Sequence, residues 1–337
     1  MSAQTYAGKS VLVTGATGFI GGHLVSRLLA QGARVKLLVR EPDRLPAAWR
    51  GRVQVCRGDL TRPESLAAAV RDVAWVFHSA ANVQTWGSAS AYEAVNVTGV
   101  RHLLEALAPQ AKHIQRFIHI STVDVYGFPR TPCDEGCAPR FSGFGYGDSK
   151  LRGELLLRDM APRLSLPYAI LRPANVMGPG SPFIARIGRE LQSGLMLRVS
   201  GGRADAGFLY VDNLIDALLW AGHAPQAEHE VFNVVDPMPV TWRQLLDDLR
   251  QRIHGKGWII DLPYPVAAAA GTALALPYML LGSRQEPLLH PLIVKIFGRT
   301  CGHRSAKLAA AGCPVGRVDY HQGMAESARW FLATCGK

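Results

Sequence analysis

The sequence is short of acid: 26 Asp and Glu stand against 37 Lys and Arg in 337 residues, a formal net charge of +11. Charge of either sign is scarce at 19%, while apolar residues reach 48%, which excludes a disordered or low-complexity chain and implies a sizeable core. Cysteine is sparse and unpatterned. The six thiols, Cys56, Cys133, Cys137, Cys301, Cys313 and Cys335, include no Cys-x-x-Cys pair, and no His/Cys set completes a zinc site around Cys133 and Cys137. Neither a disulfide framework nor a metal centre is expected, and free thiols fit a reducing, cytoplasmic compartment. The residues MSAQTYAGKS lack the basic and apolar regions of a secretory signal, so the Asn96-Val97-Thr98 sequon carries no expectation of glycosylation. The Gly-x-Ser-x-Gly and His-Glu-x-x-His signatures of hydrolases and zinc proteases are missing. Gly8-Lys9-Ser10 looks like the end of a P-loop, but Ala3 holds the first glycine position and the segment precedes a strand instead of following one. No dense basic run or basic-aromatic motif accompanies the excess charge, so nucleic acid is not an expected partner. A spanning helix is also lacking. The uncharged run VAAAAGTALALPYMLL at 266–281 is interrupted by Gly271 and Pro277 and falls short of the roughly 20 residues a bilayer requires. It is expected as a buried helix, with an apolar cover over a greasy substrate or a peripheral membrane contact as the other readings.

What is present is alternation. Apolar runs at 10–14, 34–39, 53–55, 75–78, 117–120 and 168–171 read as strands, with helical periodicity between most of them. Near-continuous apolar strands separated by helices imply an α/β fold, a doubly wound parallel sheet. The alternation loosens after Pro173. The expected division is a dinucleotide-binding Rossmann domain over 1–175, with returning segments near 208–235, and a smaller interwoven region over 176–337 that mainly binds substrate.

Thr14-Gly15-Ala16-Thr17-Gly18-Phe19-Ile20-Gly21 lies between the first strand and the first helix, where glycines let the backbone approach a pyrophosphate and helix amides receive its charge. The residue ending the second strand selects the cofactor. Arg40 there can pair with a 2′-phosphate, with Arg44 as a second cation, which favours NADP(H); Glu41, one position on, keeps NAD(H) open. Gly58-Asp59-Leu60 after the third strand is a candidate adenine contact or an ordinary turn.

Tyr146 and Lys150, four apart at the start of a helix, share one face. A neighbouring ammonium and an oxidised nicotinamide would favour the phenolate and let Tyr146 exchange a proton with an alcohol or carbonyl oxygen. Thr122, at the end of the strand 117–120, is placed to hydrogen-bond that oxygen, with Ser121 the alternative register. Asn96 would position a helix, hold a water or cap. His78-Ser79-Ala80-Ala81 follows another strand; its small residues would admit a cofactor closely, while His78 reads as structural.

The segments TGATGFIG (14–21), GDL (58–60), HSAA (78–81), NVTG (96–99), STVDVYG (121–127), YGDSK (146–150), LRPANVMGPG (171–180) and FLYVDNLIDA (208–217) occur in family order. Together they resemble the extended short-chain dehydrogenase/reductases of the NAD-dependent epimerase/dehydratase superfamily. The C-terminal pieces, the apolar 265–297 segment, Ser305-Ala306-Lys307-Leu308 and ESARWF at 326–331, are most similar to the 3β-hydroxysteroid dehydrogenase-like and dihydroflavonol reductase-like branch. The resemblance implies that Thr122, Tyr146 and Lys150 are catalytic, with Asn96 a fourth member. It implies cofactor contacts from Gly15, Thr17, Gly18, Phe19, Ile20, Gly21, Arg40, Asp59, Leu60, Ser79, Ala80, Ala81, Tyr146 and Lys150, with Pro173, Ala174 and Val176 beside the nicotinamide. Thr122 and Asn175 would meet the substrate. A homodimer through helices near 95–108 and 149–161 is also implied. The expected activity is NADP-dependent interconversion of a ketone and a secondary alcohol on a hydrophobic or amphipathic substrate. The alternative is a nucleotide-sugar epimerase or dehydratase that retains its nicotinamide, in which Arg186, Arg189, Arg198 and Arg203 would grip a diphosphate.

Overall fold

The computed structural model describes residues 5–129, 131–283, 285–299 and 302–336; Cys301 lies outside them. Seven strands form the central sheet: β1 (Ser10–Thr14), β2 (Arg34–Val39), β3 (Val53–Arg57), β4 (Trp75–His78), β5 (Arg116–Ile120), β6 (Tyr168–Pro173) and, from the C-terminal half, β10 (Glu230–Val234). Their order is β10-β6-β5-β4-β1-β2-β3, and every pairing is parallel. Successive side chains of a strand point to opposite faces, and here both faces are buried. Leu12, Val76, Phe117 and Ile170 enter one core cluster, while Val11, Val13, Phe77, Ile118 and Leu171 enter the other. This double burial explains why β1, β5 and β6 read as apolar runs instead of alternating ones.

The chain leaves β1 toward β2 and β3, then crosses back to place β4 on the other side of β1. Such a reversal opens a crevice beyond the carboxyl ends of the strands, the usual place for a ligand in an open α/β sheet. Thr14, His78, Ile120 and Pro173 are the last strand residues at that edge.

Past Pro173, two small parallel pairs stand over this edge. β7 (Asn175–Met177) pairs with β9 (Phe208–Tyr210), and β8 (Leu195–Val199) with β11 (Trp258–Leu262). Helix Val211–Ala221, buried except at Asp212, packs on helix Phe19–Ala30, and Asp216 accepts from Arg27 at 2.7 Å. Helices Pro182–Ser193, Trp242–Arg252 and Tyr320–Thr334 complete this side of the larger core.

One expectation is overturned. The uncharged run does form a helix, Tyr264–Leu280, and Pro277 is accommodated in its last turns, but the helix is not buried. Only Ala267, Gly271 and Ala275 are fully covered, with Gly271 lying against helix Pro291–Arg299; Tyr264 and Tyr278 are half-buried, and the large aliphatic side chains face outward. Among the described residues, no helix is long and apolar enough to cross a membrane.

Candidate active site

The turn after β1 is built to receive an anion. Gly15 sits at φ +72°, and a Cβ there would lie 2.7 Å from Ala80 N, so the turn presses directly against the Ser79-Ala80-Ala81 segment. A Cβ on Gly21 would come within 2.2 Å of Gly15 O, closing the helix onto the turn. Thr14 Oγ1 accepts from Ala80 N at 3.2 Å and shares a 2.9 Å hydrogen bond with His78 Nδ1, locking the ends of β1 and β4 together. Helix Phe19–Ala30 has no side-chain cap at Gly18 and no acid in its first turn, which leaves its amides and positive end free. Thr17 and Gly18 are exposed, and Phe19 and Ile20 half-buried. These features fit a dinucleotide pyrophosphate.

At the far end of the crevice, β2 stops at Val39 and Arg40 follows, exposed. Glu41 turns to Arg44 at 3.6 Å, an exposed pair. Asp59 accepts from Thr61 N and Thr61 Oγ1, each at 2.9 Å, so an ordinary turn is present at Gly58-Asp59-Leu60. Burial would raise this carboxyl, but the Thr61 donors and the Arg40 and Arg62 guanidiniums outweigh it and hold it below the usual range. The Leu60 side chain is buried against Gly99, leaving its backbone as the only part able to face a ligand.

The helix Gly145–Leu164 carries Tyr146 and Lys150 past the end of β5. The Thr122 hydroxyl hydrogen-bonds the Tyr146 phenol, whereas Ser121 Oγ is buried with no partner among the described residues; the register is therefore Thr122. Lys150, 2% exposed, donates to Ile120 O at 2.5 Å and lies 3.5 Å from His119 Nε2. Burial lowers its ammonium to about 8, with Glu154 opposing. Burial and the nearby Asp124 carboxylate push the Tyr146 phenol well above its ordinary value, with only the Thr122 hydrogen bond opposing, because Lys150 is turned toward β5.

Below Lys150 lies a column of neutral imidazoles. His119 stacks on His78 with ring centroids 5.4 Å apart. Burial, with the Lys150 charge adding to it, lowers His78 to about 3 and His119 well below its ordinary value. Asn96 sits in a widened helical turn, where its amide donates to Asn82 O at 3.0 Å and Ser149 Oγ at 2.9 Å, and its carbonyl accepts from Asn82 N at 2.7 Å. Ser149 Oγ donates in turn to Tyr146 O, so Asn96 ties the loop after β4 to the start of the tyrosine helix. Ala174 N bonds Val234 O, and Asn175 lies between Ala206 O, reached by its side-chain amide at 2.7 Å, and Gly207 O, reached by its backbone. Pro173 and Val176 continue β6 and β7 along the same edge.

A profile of the NAD-dependent epimerase/dehydratase family matches residues 11–234, more than half of the chain. The protein belongs to that family. Within it, the chain is an NAD(P)-dependent enzyme of the extended short-chain dehydrogenase/reductase type. It is 28% identical over 318 residues to a 4-hydroxy-2-methyl-3-oxo-4-farnesyl-3,4-dihydroquinoline-1-oxide ketoreductase of Stigmatella aurantiaca, covering 93% of each chain. It is 27% identical over 309 residues to a 2-alkyl-3-oxoalkanoate reductase of Shewanella oneidensis, covering 86% of this chain and 78% of that one. Among solved structures, a UDP-glucose 4-epimerase of Thermotoga maritima superposes with a TM-score of 0.75 at 22% identity, covering 96% of this chain and 99% of that one; the likeness is of fold.

Two parts of this family member's site went unread in the sequence. A small cavity next to Asp124 is lined by Val123, Phe128, Asn175, Ile296 and His303, among others; neither Thr122 nor Tyr146 is in its wall. Burial raises the Asp124 carboxyl to about 6, against a hydrogen bond from Thr122. Asp124 stands inside STVDVYG and carries no signal beyond that segment; Ile296 and His303 come from remote segments that only the fold brings in. The second part is a buried support. Arg172 donates to both Glu154 oxygens at 3.0 and 2.6 Å and to Tyr126 Oη at 2.8 Å, and Tyr126 donates to Asn233 Oδ1 at 2.9 Å. Of the arginines expected to grip a diphosphate, Arg186 is paired with Glu190 and Glu286, Arg198 with Asp247 and Asp261, and Arg189 bonds Ala185 O. None of these, nor Arg203, lines the cavity.

Proposed function

We propose that the enzyme is an NADP-dependent oxidoreductase interconverting a ketone and a secondary alcohol on a hydrophobic or amphipathic substrate of sterol-like, polyketide-like or β-keto acyl type. The observation that carries this reading is the Tyr146 phenol with the Thr122 hydroxyl as its hydrogen-bond partner past the end of β5, near a small cavity that Val123, Phe128 and Ile296 make partly apolar. A ketone oxygen would accept from both hydroxyls. A bound nicotinamide supplies the hydride in reduction and accepts it in oxidation. Tyr146 gives its proton to the oxygen as the carbonyl carbon is reduced, and the Lys150 ammonium, held at Ile120 O, would have to turn from β5 to meet the phenolate left behind. Thr122 keeps the oxygen in line throughout. The ketoreductase and oxoalkanoate reductase names of the relatives support a keto substrate. The pairing of Arg186 and Arg198 with carboxylates speaks against a diphosphate grip. NADP(H) is supported by Arg40, exposed at the end of β2 while Glu41 turns to Arg44.

The test is NADPH consumption by purified protein against hydrophobic ketones, beside turnover of nucleotide sugars. Tightly retained cofactor with sugar turnover and no net NADPH use would overturn the reading. Tyr146→Phe should lower kcat by about 10²–10⁴-fold with cofactor affinity unchanged, and an unaltered rate would remove Tyr146 from the chemistry. Arg40→Asp should shift the NADPH:NADH preference in kcat/KM by about tenfold or more toward NADH, the worth of a charge-assisted bond to the 2′-phosphate.

A further inference from the structure

We infer that helix Tyr264–Leu280 and the turn after it form a docking surface for an anionic lipid bilayer. The helix is built with its faces reversed. Its small residues Ala267, Gly271 and Ala275, spaced four apart, are the covered ones; a Cβ on Gly271 would lie 3.1 Å from Val294 and 3.3 Å from His290, so only a stripe this small allows such close contact with helix Pro291–Arg299. The large side chains are left outside, from Leu274 at 47% exposed through Val266, Leu276, Met279 and Leu280 to Leu281 at 83%. No residue from 262 to 283 bears a charge. β11, which runs directly into the helix, exposes Trp258 and Ile260 on one strand face, and Leu288 follows beyond the turn. An apolar surface this continuous on a water-facing helix marks an interaction site.

Charge selects the occupant. At the end of β11, the Arg198, Arg243 and Arg203 guanidiniums hold the Asp261 carboxylate below its ordinary range, and with Asp247, which also pairs with Arg198, three guanidiniums stand against two carboxylates. Arg203 and Arg243 approach each other closely enough that a Cβ on Gly201 would meet both, at 3.6 and 2.9 Å. Arg299 stacks on Tyr264, in the first turn of the apolar helix, at 4.3 Å. A basic collar therefore stands at the root of an apolar helix. A bilayer offers the complement of both, anionic headgroups above an apolar layer. A second copy of this chain, itself at +11, would set the same collar against its own charge. The docked helix would lie in the interface plane, since it has 17 residues and does not span. Behind it, helix Pro291–Arg299 contributes Ile296 and Arg299 to the cavity wall, so the bilayer-facing layer stands one helix away from the candidate substrate site.

The test is flotation of the purified full-length protein with vesicles of phosphatidylcholine alone or mixed with phosphatidylglycerol. Binding to the mixed vesicles should be about tenfold tighter or more, and weaken with salt. The double variant Leu280→Glu/Leu281→Glu should lose about tenfold or more of that binding with an unchanged melting curve, because both side chains lie outside the core. Absence of flotation with either vesicle, equal binding to both, or full binding by the double variant would each overturn the inference. So would a concentration-dependent dimer, seen by light scattering, that the double variant abolishes. No substrate is present in these experiments, so their failure leaves the ketone-reduction reading untouched, and the reverse.

Discussion

Acid should destabilise this protein through two imidazoles that its fold keeps neutral. His78 and His119 are buried under Lys150, His78 lowered to about 3 and His119 well below its ordinary value. In the unfolded chain each titrates near 6.5. For a base whose folded value is depressed, the unfolded state takes up the proton first, so stability is intact above about pH 6.5 and is lost as pH falls toward the folded value. Integrated from pH 7.5 to pH 5, each histidine contributes a loss of about 2 kcal/mol, and the pair about 4 kcal/mol, a large part of an ordinary domain's stability. Asp124 and Asp236, both raised by burial to about 6, act oppositely and add stability as pH falls through that value. They cancel when two proteins differing at one histidine are compared. The assay is urea denaturation followed by tryptophan fluorescence at pH 7.5 and pH 5, for the wild type and His119→Phe. The variant should lose about 2 kcal/mol less than the wild type over that interval, whatever its stability at pH 7.5. Equal losses in the two proteins would mean that His119 carries its proton in the fold, and the reasoning would fail.

Two further perturbations test the supports around the site. Glu154→Ala removes the carboxylate that receives both Arg172 bonds and leaves a guanidinium buried alone; it should cost about 3–5 kcal/mol in urea denaturation, and a loss under about 1 kcal/mol would show the charge reaching water. Gly21→Ala places a methyl group where Gly15 O already stands, so NADPH affinity measured by fluorescence titration should fall about tenfold or more; unchanged affinity would show that the turn yields freely.

The doubly wound sheet was readable because its inner strands are buried on both faces and so appear as mainly apolar runs without alternation, as in β1, β5 and β6. The short edge pieces β7 and β9, with three residues each, offer no period to detect. The same contrast runs through the site. Tyr146 and Lys150 are one helical turn apart, and spacing alone unites them, whereas Asp124 and His303 become neighbours only across the cavity. Helical spacing puts Lys150 on the face of Tyr146 but says nothing of where its ammonium points. That is decided by Ile120 O and His119, which belong to a different strand. Helix Tyr264–Leu280 was misread because apolarity predicts burial only when the large residues, and not the small ones, form the contact stripe.

The pairing of β10 with β6 makes the molecule hard to divide. Residues 230–234 complete the sheet edge against 169–173, and the larger core draws on both halves of the chain. A fragment ending near residue 175 would therefore present β6 as a bare edge strand, long and apolar, open to pairing with other chains. It follows that the strands made first have to wait for residues 230–234 before their sheet is sealed. Folding with such distant contacts is slow, and the interval before closure is when the chain is most exposed to aggregation.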